Sequence, residues 1–330
     1  MIRRSTLDYD ECFFNSQCID GVASAYVASH FTYTTKMVPC LAGIDPVHTE
    51  FPKYQSLLYV GLSPSCHHLE KLLWNDNHVT IIVHNESVFG GLNRFRHDKN
   101  IILVLDKWRS GCGLVWEYFS RLNENLGRRE SRADFELSEY RPWRSYPWLL
   151  EFIEDSLLRR FKFKDTKYVI CSLCYFYPKL SINDFHTILG TDKTDIPDDW
   201  IVTGKKLWEE REKEIARYVR ASTKCTHISN NVTYTVLCVT CPSHLCYDIG
   251  SELAKMADFA AIYEYHHVKD EWWIYLHSSD DCEISMVDIA NKYGGGGRPN
   301  ASGFAISGNG KDIDRLKDVF FPVKLEDVKK

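Results

Sequence analysis

The stretch Gly294-Gly295-Gly296-Gly297-Arg298-Pro299-Asn300-Ala301-Ser302-Gly303-Phe304 places four consecutive glycines before a basic residue, small residues and an apolar strand. Successive glycines lose much backbone entropy on ordering, so they are expected where positive φ or close backbone approach is required. An apolar helical segment from Met286 to Tyr293 precedes them, which is not the composition of a linker. Backbone amides in such a turn can form an anion-binding nest, and Arg298 adds a positive charge. The sequence therefore predicts a phosphate-binding turn.

This segment resembles the GGGGH-x-x-A-G-F signature of the DHH-associated C-terminal domain of DHH-family phosphoesterases, which include RecJ-like exonucleases and oligoribonucleases. Arg298 stands in place of the histidine. Upstream, Asp258–Tyr263 resembles the family's "dfaily" strand, Ile274–Ser278 its "SLRS" strand, and Val287–Ala290 the helix before the glycines. The resemblance implies that the substrate phosphate or terminal base is held by Gly294, Gly295, Gly296, Gly297, Arg298, His277 and Asn300. His277 replaces the arginine of SLRS, so we expect a weaker phosphate grip there, restored in part by Arg298.

The amino-terminal half resembles the family's catalytic domain but lacks most of its metal ligands. The segment Phe14–Ala25 resembles the opening Y-H-x-x-C-x-D-G-x-x-S-A, in which Asp20 is retained and Asn15 replaces the histidine. Gly61 stands where an Asp bridges two metals, and Ile82–Ser87 lies where D-H-H is expected, leaving only His84. Two further matches are Lys107–Leu114, similar to "RSGA-x-L", and Phe152–Leu158, similar to "y-i-e-D-r-D-l-w" with Leu157 at the second Asp.

The missing ligands bear directly on cofactor use. Two Mn²⁺ or Mg²⁺ ions need several carboxylates, because hard cations prefer oxygen and their mutual repulsion must be neutralised. Asp20 and His84, the residual catalytic positions, are too few, so we expect no metal cofactor and no two-metal hydrolase. If the protein is nevertheless an enzyme, Mn²⁺ or Mg²⁺ would bind at Asp20 and His84. Four further carboxylates are alternative single-metal ligands, although surface or strand-end roles are expected for them: Asp45, Glu86, Asp106 and Asp155.

Length and composition point to a soluble two-domain protein. The chain has 330 residues, of which 44% are hydrophobic and 26% charged, with a formal net charge of −5. That charge argues against coating long duplexes by bulk electrostatics but leaves room for a short, locally bound phosphate ligand. No apolar run approaches the roughly 20 residues of a membrane span, so no membrane association is expected. Arg3 and Arg4 are followed at once by acidic residues, which favours the cytoplasm, with mitochondria as the alternative.

The hydrophobic pattern predicts an α/β fold. Apolar runs without alternation at Leu57–Val60, Thr80–Val83 and Ile101–Leu105 are separated by helical segments, which is typical of a doubly wound parallel sheet. From Asn231 the texture changes to alternating strands with two helical segments, which predicts a smaller mixed α/β domain. We therefore assign 1–200 to a DHH-like phosphoesterase domain, 201–224 to a helical connector and 225–330 to the substrate-binding domain.

Three features leave alternatives open. The pairs Cys171/Cys174 and Cys238/Cys241 have the spacing of half zinc sites, but their apolar contexts favour core packing. Cys66-His67-His68 is a nucleophile–base candidate, yet adjacent residues at a helix start point in different directions. The segment 123–148 mixes arginines with Tyr and Trp, as single-stranded nucleic-acid surfaces do, although a solvated insertion is the favoured interpretation.

The leading hypothesis is a catalytically degenerate DHH-family homologue that binds nucleic-acid ends or nucleotides in the inter-domain cleft, or serves as a subunit of a larger assembly. The first alternative is an active phosphodiesterase or exonuclease on short oligonucleotides with a rearranged metal site. The second is a ligand-free interaction scaffold with protein partners, using the segment 123–148 and the apolar Val319–Val323.

Overall fold

A computed structural model of the chain describes residues 7–41, 43–46, 52–126, 146–190, 195–229, 231–307 and 321–322. The chain divides into two compact units, Met1–Trp208 and Glu209–Lys330. The division falls within one long helix, Asp198–Arg220, which overlaps the segment 201–224 that the sequence suggests as a connector. Most of the arginine-aromatic segment and of the apolar carboxy-terminal segment lies outside the described residues.

The first unit is built on a five-stranded parallel sheet in the order β2-β1-β3-β4-β5. Its strands are β1 (Asp8–Asn15), β2 (Tyr33–Cys40), β3 (Ser56–Val60), β4 (His78–Val83) and β5 (Ile101–Leu105). Its helices are α1 (Ile19–Phe31), α2 (Cys66–Trp74), α3 (Phe89–Asn93), α4 (Gly111–Leu126), α5 (Trp148–Leu157), α6 (Thr166–Phe176), α7 (Ile182–Ile188) and α8 (Asp198–Arg220), the last running into the second unit.

Helices cover both faces of this sheet, as continuous apolar strands require. Alternate strand residues such as Leu58 and Val60 join a core with α1 and α4 to α7, whereas Leu57 and Tyr59 join a second core with α2 and α3. The predicted doubly wound parallel sheet is therefore confirmed.

The second unit contains a mixed seven-stranded sheet in the order β10-β11-β9-β8-β7-β6-β12. Its strands are β6 (Thr223–Ser229), β7 (Val232–Thr240), β8 (Phe259–His266), β9 (Glu271–Ser278), β10 (Gly296–Arg298), β11 (Ala301–Ser307) and β12 (Phe321–Pro322). Among the described strands of this second sheet, β7 and β8 form the one parallel pair. Helices α9 (Ser243–Leu253) and α10 (Met286–Asn291) contribute to separate apolar cores with the sheet, which confirms the predicted mixed α/β domain.

The cysteine pairs take different environments. Cys238 and Cys241 are buried: the Tyr263 hydroxyl donates to the Cys238 sulfur at 3.2 Å, and Cys241 lies 3.8 Å from the Cys246 sulfur. On α6, however, Cys174 is exposed and Cys171 half-buried, so core packing is wrong for Cys174, which lies on the solvent-facing side of an amphipathic helix. Within the described residues, no helix is both long and apolar enough to cross a bilayer.

Candidate functional sites: the carboxyl edge and the glycine turn

The carboxyl ends of β1, β3, β4 and β5 lie along one edge of the first sheet, here called the carboxyl edge. The strand order reverses between β1 and β3, because β2 continues from one side of β1 and β3 from the other. Ligands of open α/β sheets bind in the crevice at such a reversal, outside the carboxyl ends of the strands. Asp20, Gly61 and His84 follow β1, β3 and β4 respectively, so the topology brings all three retained or altered motif positions to this edge.

Asp20 is buried, with 3% of its surface exposed, in the first turn of α1. Its Oδ2 accepts a hydrogen bond from the Gly111 amide and its Oδ1 one from the Cys112 amide, both at 2.9 Å. These amides open α4, and the first amides of a helix have no partner within the helix. A carboxylate at this position also interacts favourably with the positive end of the helix dipole. Asp20 therefore anchors the start of α4 to the start of α1.

Glycines allow the chain to pack closely around this carboxylate. A β-carbon on Gly111 would lie 2.6 Å from Asp20 Oδ2 and 2.9 Å from Ser24 Oγ. Gly61 has φ of 67°, in the left-handed region, and its amide donates to the Ile82 carbonyl at 2.9 Å. Gly61 therefore forms a tight turn between β3 and the following loop. The family resemblance predicts a bridging carboxylate at this position.

His84 lies beside Asp20 but does not form a hydrogen bond with it. The distance from His84 Nδ1 to Asp20 Oδ2 is 3.7 Å, and this buried nitrogen has no hydrogen-bond partner among the described residues. The side chain is 19% exposed. His84 is therefore placed next to the carboxylate, as the sequence comparison with the family suggests, without orienting it.

The residues present do not fit a two-metal centre. Both oxygens of Asp20 already accept backbone hydrogen bonds, and His84 is the other family ligand retained at this edge. No three His, Cys, Asp or Glu side chains among the described residues come together as a group able to hold a metal ion. Mn²⁺ or Mg²⁺ would therefore lack the oxygen ligands that hard cations need.

The four alternative carboxylates are each engaged elsewhere. Asp155 accepts from the Lys162 amide at 2.9 Å and from Thr166, and Asp106 accepts from the Trp108 amide at 2.8 Å. Glu86 pairs with Lys107 at 2.7 Å. Asp45 accepts from the Ser65 amide at 2.7 Å, immediately before α2. Ser65 also caps α2 through the His68 amide at 3.1 Å, so Cys66-His67-His68 begins an ordinary capped helix.

A buried ion network joins α4 to α5 behind this edge. Arg109 pairs with Glu154 Oε1 at 2.9 Å and Glu117 Oε2 at 2.8 Å, and the Ser110 hydroxyl donates to Glu154 at 2.9 Å. Burial alone would lower the pKa of Arg109, but Glu154, Tyr146 and Glu117 outweigh it, so the guanidinium pKa is raised and its charge is retained. The sequence alone indicated that Lys107–Leu114 and Phe152–Leu158 resemble family motifs. It did not indicate that Arg109 of the first pairs with Glu154 of the second. The signal was available in the Arg109-Ser110-Gly111 motif and in the carboxylates carried by the largely apolar helix α5.

Cys18 precedes α1 and caps it, since its sulfur accepts the Gly21 amide at 3.2 Å. Burial of the sulfur and the nearby Asp20 charge raise the pKa of Cys18 to about 11. The thiolate is the nucleophilic form of cysteine. At neutral pH this thiol is therefore protonated and a poor nucleophile.

In the second unit, the four glycines have distinct conformations. The Gly294 amide donates to the Asn291 carbonyl at 3.2 Å and the Gly295 amide to the Ala290 carbonyl at 2.9 Å, so both terminate α10. Gly296 to Arg298 then form β10, paired with β11 through a turn at Pro299 and Asn300. Helix termination therefore already engages the amides of Gly294 and Gly295. Phosphate binding at the glycine turn stays a prediction.

Arg298 and His277 lie on the same face of the second sheet. Arg298 is opposite Ala301, which is in turn opposite His277, and directly opposed residues project to the same side. His277 is buried at 7% exposure beside α9, with its ring 5.1 Å from that of Tyr247. Arg298 is exposed on the edge strand, and its side chain forms no hydrogen bond or ion pair with other described residues. Sequence reasoning missed Tyr247, which α9 brings to this face.

Asn300 has a structural role in the turn. Its side-chain amide donates to Asp280 at 2.6 Å, and its carbonyl accepts from the Ser278 amide at 3.0 Å. Of the residues predicted to hold phosphate, Arg298 is therefore the exposed cation at this surface.

The fold is that of a two-unit α/β protein with a doubly wound parallel sheet and a mixed second sheet. No family model matches the chain. An uncharacterized protein of Acanthamoeba polyphaga mimivirus is 24% identical over 317 residues, covering 91% of this chain and 68% of that protein. Two solved structures are similar to this chain. RecJ of Thermus thermophilus in complex with Mn²⁺ has a TM-score of 0.48 at 12% identity, covering 90% of this chain and 49% of RecJ. The pGpG-specific phosphodiesterase PggH of Vibrio cholerae has a TM-score of 0.41 at 15% identity, covering 94% of this chain and 96% of PggH.

Proposed function

We propose that this protein is a catalytically degenerate relative of the DHH phosphoesterases that binds nucleotides or the ends of short nucleic-acid strands without hydrolysing them. The observation that carries the proposal is the environment of Asp20. Both of its oxygens bind the amides that open α4, and its neighbours at the carboxyl edge are Gly61 and His84. A carboxylate occupied in this way, without further oxygen ligands, is unsuited to hold two cations that activate water.

The binding half of the proposal rests on the second unit. Arg298 presents an exposed guanidinium, a group that pairs with phosphate through two parallel hydrogen bonds. On the same sheet face, Tyr247 is 37% exposed and packs edge-on against His277, offering an aromatic surface for a base. Arg298 and His277 are separated by the strand that carries Ala301, so the two groups are about 10 Å apart at the spacing of neighbouring strands.

The test compares a 5′-phosphorylated oligonucleotide of four nucleotides with its 5′-hydroxyl counterpart, by fluorescence anisotropy. Arg298→Ala should weaken binding of the phosphorylated strand by roughly ten- to a hundredfold, because a charge-assisted hydrogen bond contributes about 1.5–3 kcal/mol. The affinity of the 5′-hydroxyl strand should change little. Lys224→Ala, an exposed cation on β6 at the far side of the same sheet, is the matched control and should leave both affinities unchanged.

Two outcomes contradict the proposal. If the parent protein has no affinity for nucleotide or oligonucleotide below millimolar, the turn has only a structural role and the protein is an interaction scaffold. If the parent hydrolyses the strand above buffer background, and folded Asp20→Asn protein does not, the protein is an active phosphodiesterase. We expect hydrolysis to remain at background throughout.

A further inference from the structure

The loop between α5 and α6 carries a strongly basic run on the surface. The run Arg159-Arg160-Phe161-Lys162-Phe163-Lys164 comprises four cations and two aromatic residues, and all six are exposed. Asp165, directly before α6, is the one acidic residue of this loop, in a chain whose formal net charge is −5. A local concentration of positive charge in an acidic protein indicates a surface for an anionic partner.

Interactions with the protein interior fix the shape of this loop. The buried Asp155 carboxylate accepts hydrogen bonds from the Lys162 amide at 2.9 Å, the Phe163 amide at 3.3 Å and the Thr166 hydroxyl at 2.5 Å. Arg159 and Phe161 have φ of 54° and 45°, in the left-handed region that non-glycine residues rarely adopt. The surrounding contacts must hold these two residues in place, so the cations and rings are presented in a defined arrangement.

A half-buried lysine, paired with Glu86, and an exposed tryptophan adjoin the loop. The Arg160 guanidinium donates to the Trp108 carbonyl, and the Lys107 ammonium lies 5.2 Å from the centre of the Trp108 ring. Trp108 is 69% exposed and lies just after β5, three residues before Gly111, whose amide binds Asp20. Lys107, Trp108 and Arg159–Lys164 together form what we call the basic–aromatic surface, which continues the carboxyl edge.

We propose that the basic–aromatic surface binds single-stranded nucleic acid, with Arg159, Lys162 and Lys164 on phosphates and bases stacked on Trp108 and Phe161. Single strands are held in this way, by cations along the backbone and aromatic rings under successive bases, without need of a sequence motif. The inference rests on the proposed function for its ligand class. It adds that the first unit by itself contacts a strand of several nucleotides.

The geometry favours a nucleic acid over an anionic membrane. Phe161 and Phe163 are only 36% and 43% exposed, and the Phe163 ring packs 5.2 Å from that of Phe152. The Lys167 ammonium lies 5.3 Å from the Phe161 ring centre. Insertion into a bilayer interface places apolar side chains roughly 5–10 Å below the headgroups. Rings that lean on the protein present a face for stacking and cannot reach that depth.

The experiment uses the full chain and a fluorescent 12-nucleotide single strand, by anisotropy at several salt concentrations. The variant Lys162→Glu/Lys164→Glu should bind the strand about ten- to a hundredfold more weakly. Its slope of log affinity against log salt should fall by about 1.4, since each phosphate contact on a single strand contributes roughly 0.7. Trp108→Ala should weaken binding roughly tenfold through lost stacking.

The matched control is Lys53→Glu/Lys99→Glu, which makes the same change in net charge. Both lysines are exposed and lie before β3 and β5, at the amino end of the same sheet. This control should change strand affinity by less than about threefold, the loss expected from net charge alone. An equal effect of the two double variants would overturn the inference. Thermal melting confirms that each variant is folded.

A dinucleotide arm separates this inference from the proposed function. A 5′-phosphorylated dinucleotide should bind the parent and Lys162→Glu/Lys164→Glu equally, because it has too few phosphates and bases to engage several cations and rings at once. If the parent binds the dinucleotide as tightly as the 12-nucleotide strand, the inference fails and the proposed function stands. If Arg298→Ala changes nothing while Lys162→Glu/Lys164→Glu removes strand binding, the inference stands and the role of the turn fails. Binding to phosphatidylserine vesicles that depends on these lysines, without strand binding, would also overturn it.

Discussion

The carboxyl edge of the first sheet and the glycine turn of the second unit both resemble ligand-binding motifs, but their residues are used differently. At the carboxyl edge, the retained carboxylate Asp20 is buried and both its oxygens bind backbone amides. At the turn, Gly294 and Gly295 terminate a helix while Arg298 remains exposed on an edge strand. In both places, motif residues make contacts that stabilise the local fold. The resemblance is therefore informative about backbone geometry, and ligand binding depends on the side chains that remain available.

The largest expected effect is on stability at the carboxyl edge. Asp20→Ala leaves the Gly111 and Cys112 amides without acceptors in a buried site, which should lower the free energy of unfolding by about 3 kcal/mol. Asp20→Asn, which keeps one acceptor oxygen, should lower it by less. Urea denaturation measures both, with Asp106→Ala as the control, since that carboxylate caps only the exposed Trp108 amide. Unchanged stability in Asp20→Ala would mean that the carboxylate is not the anchor of α4.

A smaller loss of stability is expected from alanine substitutions in the glycine turn, and its size should depend on which glycine is replaced. A β-carbon at Gly297, where φ is 144°, would lie 2.5 Å from the Ser302 backbone, so Gly297→Ala should destabilise by about 2 kcal/mol. Gly296 has open space at the same point and an ordinary φ, so Gly296→Ala should be nearly neutral. Thermal melting of the two variants measures the difference. Equal melting temperatures would show that the turn is not held in the β10–β11 pairing.

Cysteine reactivity gives a subtler measure of the carboxyl edge. With its pKa raised to about 11 by burial and Asp20, Cys18 should react with iodoacetamide about tenfold faster for each pH unit between 8 and 10. The denatured chain should lose most of this dependence above about pH 9, near the pKa of a free thiol. Asp20→Asn should raise the rate at pH 8, because the nearby negative charge is removed. Mass spectrometry of the Cys18 peptide follows the reaction, and a pH-independent rate in the folded protein would contradict it.

The smallest expected effect is that of added metal ions on the melting temperature. One millimolar Mn²⁺ should leave the melting temperature within about 0.5 °C, because a ligand stabilises only in proportion to its binding to the folded state. Equilibrium dialysis should retain well under one equivalent. Gly61→Asp adds a carboxylate beside Ser24 in a left-handed conformation that Asp tolerates, and hydrolysis should still be absent. Retention of two equivalents by the parent would show that the carboxyl edge is a working metal centre.

Much of the fold could be predicted from the sequence because apolar runs such as Leu57–Val60 and Thr80–Val83 have the texture of parallel strands buried on both faces. The same pattern could not reveal that Asp20 binds amides 91 and 92 residues away, since hydrogen bonding across such distances leaves no local periodicity. The turn shows the opposite limit. Four glycines signalled unusual backbone, but not that Gly294 and Gly295 would close a helix while Gly296 needs no special conformation.

The basic loop at Arg159–Lys164 follows helix α5 with no glycine or proline to mark the end of the helix. Helix α5 ends at Leu157. The buried Asp155 carboxylate accepts hydrogen bonds from the amides of Lys162 and Phe163, which follow it in the chain. These bonds stop the helix, and the cations of the loop lie on the surface. A local hydrogen bond of this kind competes with helix formation and is difficult to distinguish in sequence from an ordinary helical carboxylate.

The bond between Asp20 and the Gly111 amide also has a consequence for the order of folding. It joins the first helix of the sheet to the one that follows β5, so it can form only after β3, β4 and β5 have taken their places beside β1. Closing so long a segment is a late step, since its entropy must be offset before distant contacts contribute. Loss of this bond should therefore accelerate unfolding far more than it slows refolding. Stopped-flow unfolding measures the lifetime of the folded first unit. That lifetime depends on Asp20, a carboxylate at a position that resembles a catalytic one.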